Sequence, residues 1–238
     1  MKKILHPAAQ RGHADHGWLR SAHSFSFGSY YDPEKVQFGA LRVLNDDVIE
    51  GGSGFDPHGH ANMEIVSVPL QGGLAHGDNQ GHTEVIYPND VQVMSAGTGI
   101  VHSEHNHAAT EPGHFLQLWI IPEKQKVSPR YAQHTFDPKS WHNQIATLVT
   151  SRQQEGTLWI HQQATIARTN LDPGKVVNYT LQAPAHGVYA FVIEGQVRVA
   201  EELLNKRDGL GITEVNQVAL EGVTPCDVLL IEVPMQVI

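Results

Sequence analysis

Short apolar runs separated by turn-forming residues dominate this chain, whereas long amphipathic helical repeats are hard to find. The runs of the first half are rich in Val, Ile and Leu, and Gly, Asn, Asp and Pro punctuate them, as is typical of strands and the turns between them. Their spacing of about 8–12 residues predicts an all-β fold of the sandwich or barrel type. These runs are "ALRVLNDDVI" (40–49), "EIVSVPLQGG" (64–73), "TEVIYPND" (83–90), "VQVMSAG" (91–97) and "FLQLWIIP" (115–122).

A second series of strand-like runs fills residues 157–234. One of its members, "GVYAFVIEGQVRVA" (187–200), and "EIVSVPLQGGLAHG" (64–77) both read as strand, Gly turn and strand. This similarity indicates a weak internal duplication of one β unit. The Pro-rich polar stretch between the two series (122–144) is predicted to link the halves, and a short helix is predicted around "AEELLNKRD" (200–208).

Composition narrows the class of protein. The 238 residues carry a formal net charge of −9 and 40% hydrophobic residues, which suits a soluble globular protein and disfavours direct nucleic-acid binding. The single cysteine, Cys226, excludes an intramolecular disulfide and is interpreted as an inert thiol. "MKKILHPAAQ" lacks the apolar core of a signal peptide, and no run has membrane-spanning length. A cytoplasmic protein without a membrane partner is therefore expected.

Histidine is unusually abundant, with 16 residues, and its spacing in "FDPHGHANMEI" (55–65) suggests metal binding. Alternate side chains of a strand share one face, so His58 and His60 point the same way with Cα atoms roughly 6.5–7 Å apart. Glu64 shares that face if the strand continues unbroken, which makes it a candidate third ligand. An isolated H-x-H pair is nevertheless more often a surface feature, so a second ligand-bearing element is required.

The stretch "SAGTGIVHSEHNH" (95–107) supplies that element. A Gly-rich bend leads into His102, and Glu104 shares its strand face. A strand of this kind opposite the first completes a site with three imidazoles and one carboxylate, a donor set that suits first-row divalent metals. Spacing alone leaves open whether Glu64 or Glu104 is the carboxylate. The second half of the chain has no H-x-H, and its isolated His186 indicates a metal-free unit.

These segments resemble known cupin motifs. "GSGFDPHGHANMEIVSV" (52–68) fits the first cupin motif, and "NDVQVMSAGTGIVHSEHN" (89–106) resembles the second with two extra residues before His102. That departure, together with "RGHADHGWLRSAHSFSFGSYYDP" (11–33), is similar to the pirin family, and within it to bacterial pirin-like proteins with quercetin 2,3-dioxygenase activity. The resemblance is specific over residues 11–122 and only architectural over 145–238.

The resemblance implies an all-β bicupin, with two β-sandwich or jelly-roll barrels and short helical pieces. It implies an amino-terminal metal-binding barrel (1–122), a linker (123–144) and a carboxy-terminal barrel without a metal site (145–238). Carried over onto this sequence, the ligands of one divalent ion per chain are His58, His60, His102 and Glu104. Glu64 is then expected to orient an imidazole. Iron is the favoured ion, with nickel, copper, manganese, cobalt and zinc as alternatives.

The function implied by the resemblance is that of a metal-dependent dioxygenase. Such an enzyme cleaves a flavonol such as quercetin with O2 and releases carbon monoxide, with Glu104 as the catalytic proton acceptor. The alternative is a metal- or redox-sensing regulatory protein that acts through a protein partner, and a monomer is expected in either case. Of the other histidines, His13, His16 and His23 are expected to make structural contacts, with a role in the cavity as the alternative. His76 and His82 are expected to lie exposed in a β-turn, and His105 and His107 to lie outside the site.

Overall fold

Strands make up nearly all the regular structure in the computed structural model, which describes residues 1–237. The strands of the first half are β1 (Lys2–His6), β2 (Gly12–Asp15), β3 (Leu19–His23), β4 (Leu41–Ile49), β5 (Gly54–His60), β6 (Glu64–Gln71), β7 (Leu74–Asp78), β8 (Thr83–Ile86), β9 (Asp90–Ser95), β10 (Ile100–Asn106), β11 (Gly113–Ile120) and β12 (Arg130–Thr135). The remaining strands are β13 (Ala146–Thr150), β14 (Leu158–Trp159), β15 (Thr165–Leu171), β16 (Val176–Thr180), β17 (His186–Glu194), β18 (Gln196–Val199), β19 (Glu202–Asn205), β20 (Gly209–Thr213), β21 (Gln217–Gly222) and β22 (Cys226–Pro234).

The all-β, two-barrel prediction is confirmed, but its helical pieces lie elsewhere than expected. Short 3-10 turns occur at Ala8–Gln10 and Pro138–Trp141. The helix predicted around residues 200–208 is wrong, because β18 and β19 form a hairpin there. Its two-residue turn, Ala200 and Glu201, has φ values of 46° and 73°. Positive φ at both central positions suits a tight hairpin turn, so pairing of the flanking strands outweighs the helical propensity of "AEELL".

Each half of the molecule consists of a seven-stranded and a four-stranded sheet packed face to face. In the amino-terminal barrel the large sheet has the order β12-β9-β6-β11-β4-β3-β2 and the small sheet the order β5-β10-β7-β8. In the carboxy-terminal barrel the orders are β1-β20-β17-β22-β15-β13-β14 and β16-β21-β18-β19. The strands β6, β11 and β4 thus occupy the same places in one sheet as β17, β22 and β15 occupy in the other.

One strand of the predicted amino-terminal barrel joins the other half, and a second strand lies in the predicted linker; the domain boundaries themselves stay a prediction. The strand β1 pairs with β20 at the edge of the carboxy-terminal sheet, and β12, from the segment predicted as a linker, pairs with β9 in the amino-terminal sheet. The outer faces of the two large sheets also share an extensive apolar core, to which Val66, Leu118 and Ile231 contribute. These contacts hold the two barrels against each other through buried apolar surface.

The two barrel interiors are filled differently. One continuous apolar cluster, including Val188, Leu204 and Leu230, fills the carboxy-terminal barrel. The interior of the amino-terminal barrel has two separate smaller clusters, one around Phe115 and one around Met94. The space between these clusters is where the histidine-bearing strands β5 and β10 lie. Within residues 1–237, no helix is long and apolar enough to cross a membrane.

Candidate metal centre

Three of the predicted ligands meet on the adjacent strands β5 and β10. Antiparallel pairing places His102 opposite His58 and Ile100 opposite His60. One donor atom from each of the three imidazoles lies within 4.8 Å of the others, close enough for one ion. The bend that leads into β10 depends on Gly97 and Gly99, with φ values of 48° and 137° that side-chain-bearing residues rarely adopt.

The hydrogen bonds of these imidazoles fit a metal ligand set. The Nδ1 atom of His58 lies 2.8 Å from the carbonyl oxygen of Asp56, which can only accept, so Nδ1 carries the proton and Nε2 keeps a lone pair that can bind an ion. The Nε2 atom of His102 is buried and has no hydrogen-bond partner among the described residues. A buried polar atom without a partner is costly, and a bound divalent ion would satisfy it.

Burial keeps the rings of His60 and His102 neutral, which is the form that binds metals. Burial, followed by the neighbouring His58 and His60, lowers the pKa of His102 to about 3. Burial, followed by the neighbouring His58, lowers the pKa of His60 to about 4. Little proton competition for the ring nitrogens is therefore expected near neutral pH.

Glu104 lies on the same face of β10 and is almost completely buried. Its carboxylate accepts hydrogen bonds from Gln117 Nε2 at 2.7 Å and from Ser67 Oγ at 3.4 Å. The indole N–H of Trp119 donates to Gln117 Oε1 at 3.1 Å, which fixes the orientation of that amide. Burial raises the pKa of the Glu104 carboxyl. The group of donors within 4.8 Å comprises the three imidazoles, so the role of Glu104 as fourth ligand stays a prediction.

Glu64 faces away from the histidines. Along β6 it shares a face with Val66 and Val68, which pack in the core between the barrels, whereas Ser67 points inward to Glu104. The Glu64 carboxylate accepts a hydrogen bond from Ser95 Oγ at 2.7 Å, and burial raises its pKa to about 7. The expectation that Glu64 contacts an imidazole is therefore wrong, because β6 starts a new strand after a turn and does not continue the face of β5.

A cavity of about 410 Å³ opens beside the histidines. His58, His60 and Glu104 line it on the side of the small sheet. Its apolar walls are Leu19, Phe27, Phe55 and Trp119, and its polar walls are His16, Ser21, His23, Asn45, Asp47 and Gln117. This volume lies within the range of about 300–1,000 Å³ that is typical of small-molecule sites, as is a largely apolar lining with a few polar groups.

A row of polar residues crosses the inner face of the large sheet and forms one side of this region. The strand pairing brings His23 opposite Asn45, Asn45 opposite Gln117, Gln117 opposite Ser67 and Ser67 opposite Gln92. His23 Nδ1 lies 2.8 Å from Asn45 Oδ1, which is the structural contact expected of His23, and His16 and His23 also line the cavity, which was the alternative role. Neither amide atom of Gln92 has a partner among the described residues.

Asp47 is a further acidic group in the cavity wall that sequence reasoning missed. Its carboxylate accepts a short hydrogen bond from Ser21 Oγ, and burial raises its pKa to about 7. A signal was present in "VLNDDVI", where Asn45 and Asp47 occupy alternate positions of a strand that is otherwise buried and mostly apolar on that face. Polar residues at the inward period of a buried strand indicate an interior that is not simply a core.

The surface exposure predicted for His76 and His82 is confirmed for His82 and wrong for His76. His82 is partly exposed, but His76 is 2% exposed and its ring lies beside that of His102, with Nδ1 atoms 3.4 Å apart. The residues do not form an isolated turn, because β7 pairs with β10 and is covered by Tyr131 of β12. Asp78 accepts hydrogen bonds from both rings, and burial of this carboxyl is outweighed by these bonds and by backbone amides, so its pKa falls to about 2.

Comparison with known proteins agrees with this architecture. The Pirin family model matches residues 5–120, and the model for the quercetinase C-terminal cupin domain matches residues 147–233. The quercetin 2,3-dioxygenase of Escherichia coli K12 is 39% identical over 230 residues, which cover 97% of this chain and 98% of that protein.

Solved structures give the same result. The crystal structure of YhhW from Escherichia coli superposes with a TM-score of 0.94 at 38% identity and covers 99% of both chains. The complex of this bacterial pirin with nickel(II) gives a TM-score of 0.93 and covers 99% of this chain and 100% of that one. Because the identity and coverage extend over both barrels, this chain belongs to the pirin family.

Proposed function

We propose that this protein is a metal-dependent dioxygenase that cleaves flavonols such as quercetin with O2 and releases carbon monoxide. The observation that carries the proposal is the cluster of His58, His60 and His102 at one end of a largely apolar cavity. A relative that is 39% identical over nearly its whole length is named quercetin 2,3-dioxygenase, which supports the substrate class.

The three imidazoles are the groups that would hold the ion, with Glu104 as the predicted fourth ligand. A divalent ion at this place would act as a Lewis acid and lower the pKa of a hydroxyl bound to it. Three nitrogens and one oxygen accept several first-row ions, and the pirin of known structure was crystallised with nickel(II). Iron is the ion that we favour from the family resemblance, and the donor set also accepts nickel.

The cavity walls suit a flat aromatic substrate with several hydroxyl groups. Phe55 and Trp119 offer apolar ring surface on either flank of the histidines, since Phe55 contacts His58 and Trp119 contacts His60. The Asp47 carboxylate and the Asn45 amide lie in the same cavity as hydrogen-bond partners for phenolic hydroxyls. A site that hydrogen-bonds a hydroxyl discriminates strongly against an analogue that lacks it.

Glu104 is the proposed acceptor of the hydroxyl proton. Its carboxylate lines the cavity, and its two neighbours hold it in place: Gln117 donates to Oε2 and Ser67 donates to Oε1. A fixed carboxylate in a water-poor site can remove the proton of a bound hydroxyl, because the loss of hydration strengthens its basicity. The proton balance then requires that Glu104 be ionised before the substrate binds and protonated afterwards.

The experiment that tests the proposal is aerobic turnover with metal-reconstituted protein. We expect flavonol and O2 to be consumed one for one and carbon monoxide to appear in equal amount. His102→Ala should abolish turnover, and His105→Ala is the matched control, because His105 lies on the same strand but is half-exposed. Metal-loaded, folded protein that leaves flavonols unchanged would contradict the proposal and favour the regulatory alternative.

A further inference from the structure

Buried side chains behind His102 connect this ligand to the protein surface. The Nδ1 atoms of His102 and His76 are 3.4 Å apart, His76 Nε2 lies 2.9 Å from Asp78 Oδ2, and His82 Nδ1 lies 2.9 Å from the same oxygen. The side chains of His76 and Asp78 are completely buried. Such a chain of hydrogen bonds restricts which ring nitrogen of each histidine can carry a proton.

The direction of hydrogen-bond donation in this network follows from Asp78. Its Oδ1 accepts the backbone N–H groups of Gln80 at 2.9 Å and of His82 at 3.1 Å, and a carboxylate with these partners acts only as an acceptor. His76 must therefore donate through Nε2, which leaves the Nδ1 atom of the neutral ring as an acceptor. The neighbouring Nδ1 atom of His102 must then carry its proton and donate to His76.

This order of donors leaves the Nε2 lone pair of His102 free. That atom is the one without a hydrogen-bond partner among the described residues, on the side where His58 and His60 lie. We infer that His76 and Asp78 are positioning residues, which set the tautomer and orientation of His102 so that Nε2 is offered to the metal. The inference rests on the proposed metal site but not on the identity of its substrate.

Stacking fixes the orientation of the second ring in the chain. Tyr131 lies against His76 with ring centroids 4.6 Å apart and an angle of 30° between the planes, and it also stacks on His82 at 5.0 Å. The hydroxyl of Tyr131 donates to Gln133 and takes no part in the hydrogen-bond network of His102, His76 and Asp78. The His76 ring lies between the Asp78 carboxylate and the Tyr131 ring and cannot rotate by 180° without breaking both contacts. Its two nitrogens therefore keep their positions in the network.

An isosteric change at Asp78 provides the sharpest test. In Asp78→Asn the two backbone amides that point at Oδ1 select the amide oxygen for that place, so the NH2 group takes the place of Oδ2. The NH2 group then donates to His76 Nε2, His76 donates through Nδ1, and His102 must accept at Nδ1. The proton of His102 moves to Nε2, where it blocks the metal.

We expect Asp78→Asn to weaken metal affinity by about 10- to 100-fold, the size typical of changes behind a ligating histidine. Affinity is measured by competition with a chelator of known strength. His82→Asn is the matched control, because His82 contacts the same carboxylate from the exposed side, and its affinity should stay within a factor of about two. Equal losses in both variants, or no loss in Asp78→Asn, would overturn the inference.

A second substitution distinguishes the tautomer effect from simple damage. In His76→Asn the amide oxygen lies near the former Nδ1 position and accepts from His102, but this side chain cannot transmit a reversal. Asp78→Asn combined with His76→Asn should therefore bind metal more tightly than Asp78→Asn alone. If the two substitutions merely disturbed the structure, their losses of metal affinity would add. A double variant that binds metal more weakly than both single variants therefore contradicts the inference.

The metal-free protein offers a readout that is independent of catalysis. Nitrogen NMR of histidine-labelled protein reports which ring nitrogen carries the proton, and the signal of His102 is identified by its loss in His102→Gln. We expect protonated Nδ1 in the parent and protonated Nε2 in Asp78→Asn. Protonated Nε2 in the parent overturns the inference even if the protein is an active dioxygenase. The expected tautomers in a protein without turnover would support it and count only against the proposed substrate.

Discussion

The two barrels of this protein have the same sheet order but opposite interiors. At matching places in the two large sheets, Ser67, Gln117 and Asn45 lie opposite one another in the first barrel, and Ala190, Leu230 and Ala167 do so in the second. The polar residues of the first barrel bind Glu104 or line the cavity, whereas the apolar residues of the second barrel belong to a continuous core.

This difference shows how one scaffold can serve two purposes. Apolar residues in the inward positions of the second barrel exclude water and supply stability through buried area. Polar residues in the same positions of the first barrel contribute less to stability because they bury less apolar area, and the space beside them can hold a ligand. The filled barrel packs against the cavity-bearing one through the shared apolar core, so the site is built on strands that are packed on their other face.

The largest expected effect concerns the ion itself. His58→Ala combined with His60→Ala should remove metal and turnover completely but leave a folded protein, because the apolar cores do not depend on the ion. The metal adds only a binding contribution to stability, about 2.7 kcal/mol at a hundredfold excess over Kd. Metal analysis should give one ion per chain in the parent and none in the variant. A variant that is unfolded by circular dichroism would mean that the hollow barrel needs its ion to fold.

The two buried glutamates of the amino-terminal barrel should differ strongly in their effect on turnover. Glu104→Gln should lower turnover by about 100-fold or more, the scale of a lost proton acceptor. Glu64→Gln should leave it nearly unchanged, because Glu64 faces the core between the barrels. Steady-state kinetics on protein with matched metal content checks this. The reverse order of effects would reinstate Glu64 as the functional carboxylate.

A polar residue placed in the filled barrel measures how much its apolar interior contributes. Leu230→Gln copies the residue type of Gln117 at the matching place of the second barrel, but there the amide would lie in a cluster of buried apolar side chains. We expect the free energy of unfolding to fall by about 3 kcal/mol or more, from lost apolar burial and an unsatisfied amide. Urea denaturation of metal-free protein measures it, with Leu203→Gln at a half-exposed position as the control. Equal losses in the free energy of unfolding for Leu230→Gln and Leu203→Gln would contradict the view that the second barrel depends on an apolar interior.

The contact between the barrels should respond to pH through His6. Burial lowers the pKa of His6 to about 4, and Lys35 adds to the effect. A ring with a lower pKa in the folded state contributes full stability above the unfolded value of about 6.5 and loses it as pH falls towards 4. Between pH 7 and pH 5 the parent should lose about 2 kcal/mol more than His6→Gln, in which that position does not titrate. Parallel losses in denaturation experiments at the two pH values would show that His6 is not the responsible group.

The smallest expected effect is a gain in stability in the hollow barrel. Gln92 is fully buried and neither of its amide atoms has a partner among the described residues. Gln92→Met keeps the length of the side chain and removes the unsatisfied amide, so the free energy of unfolding should rise by about 1 kcal/mol. Gln117→Met is the matched comparison and should destabilise or impair the site, because Gln117 holds Glu104. A loss of stability in Gln92→Met would show that its amide is hydrogen-bonded in solution.

The sequence by itself determined the fold class and three of the site residues. Short Val- and Ile-rich runs with Gly, Asn and Pro between them specify strands, and the period of two along each strand specifies which side chains share a face. That period is local, so it placed His58 with His60 and His102 with Glu104 before any tertiary contact was known. The same reasoning failed for Glu64, because a turn between β5 and β6 interrupts the period.

Only the tertiary structure decided which strands lie next to one another. The pairing of β7 with β10 brings His76 to His102, and the pairing of β3, β4, β11, β6 and β9 aligns polar residues that are far apart in sequence. Neither contact has a local signature, since strand pairing depends on the burial of whole faces and not on the residues of one segment. For the same reason the sequence analysis did not single out Asp47, which the fold places in the cavity wall.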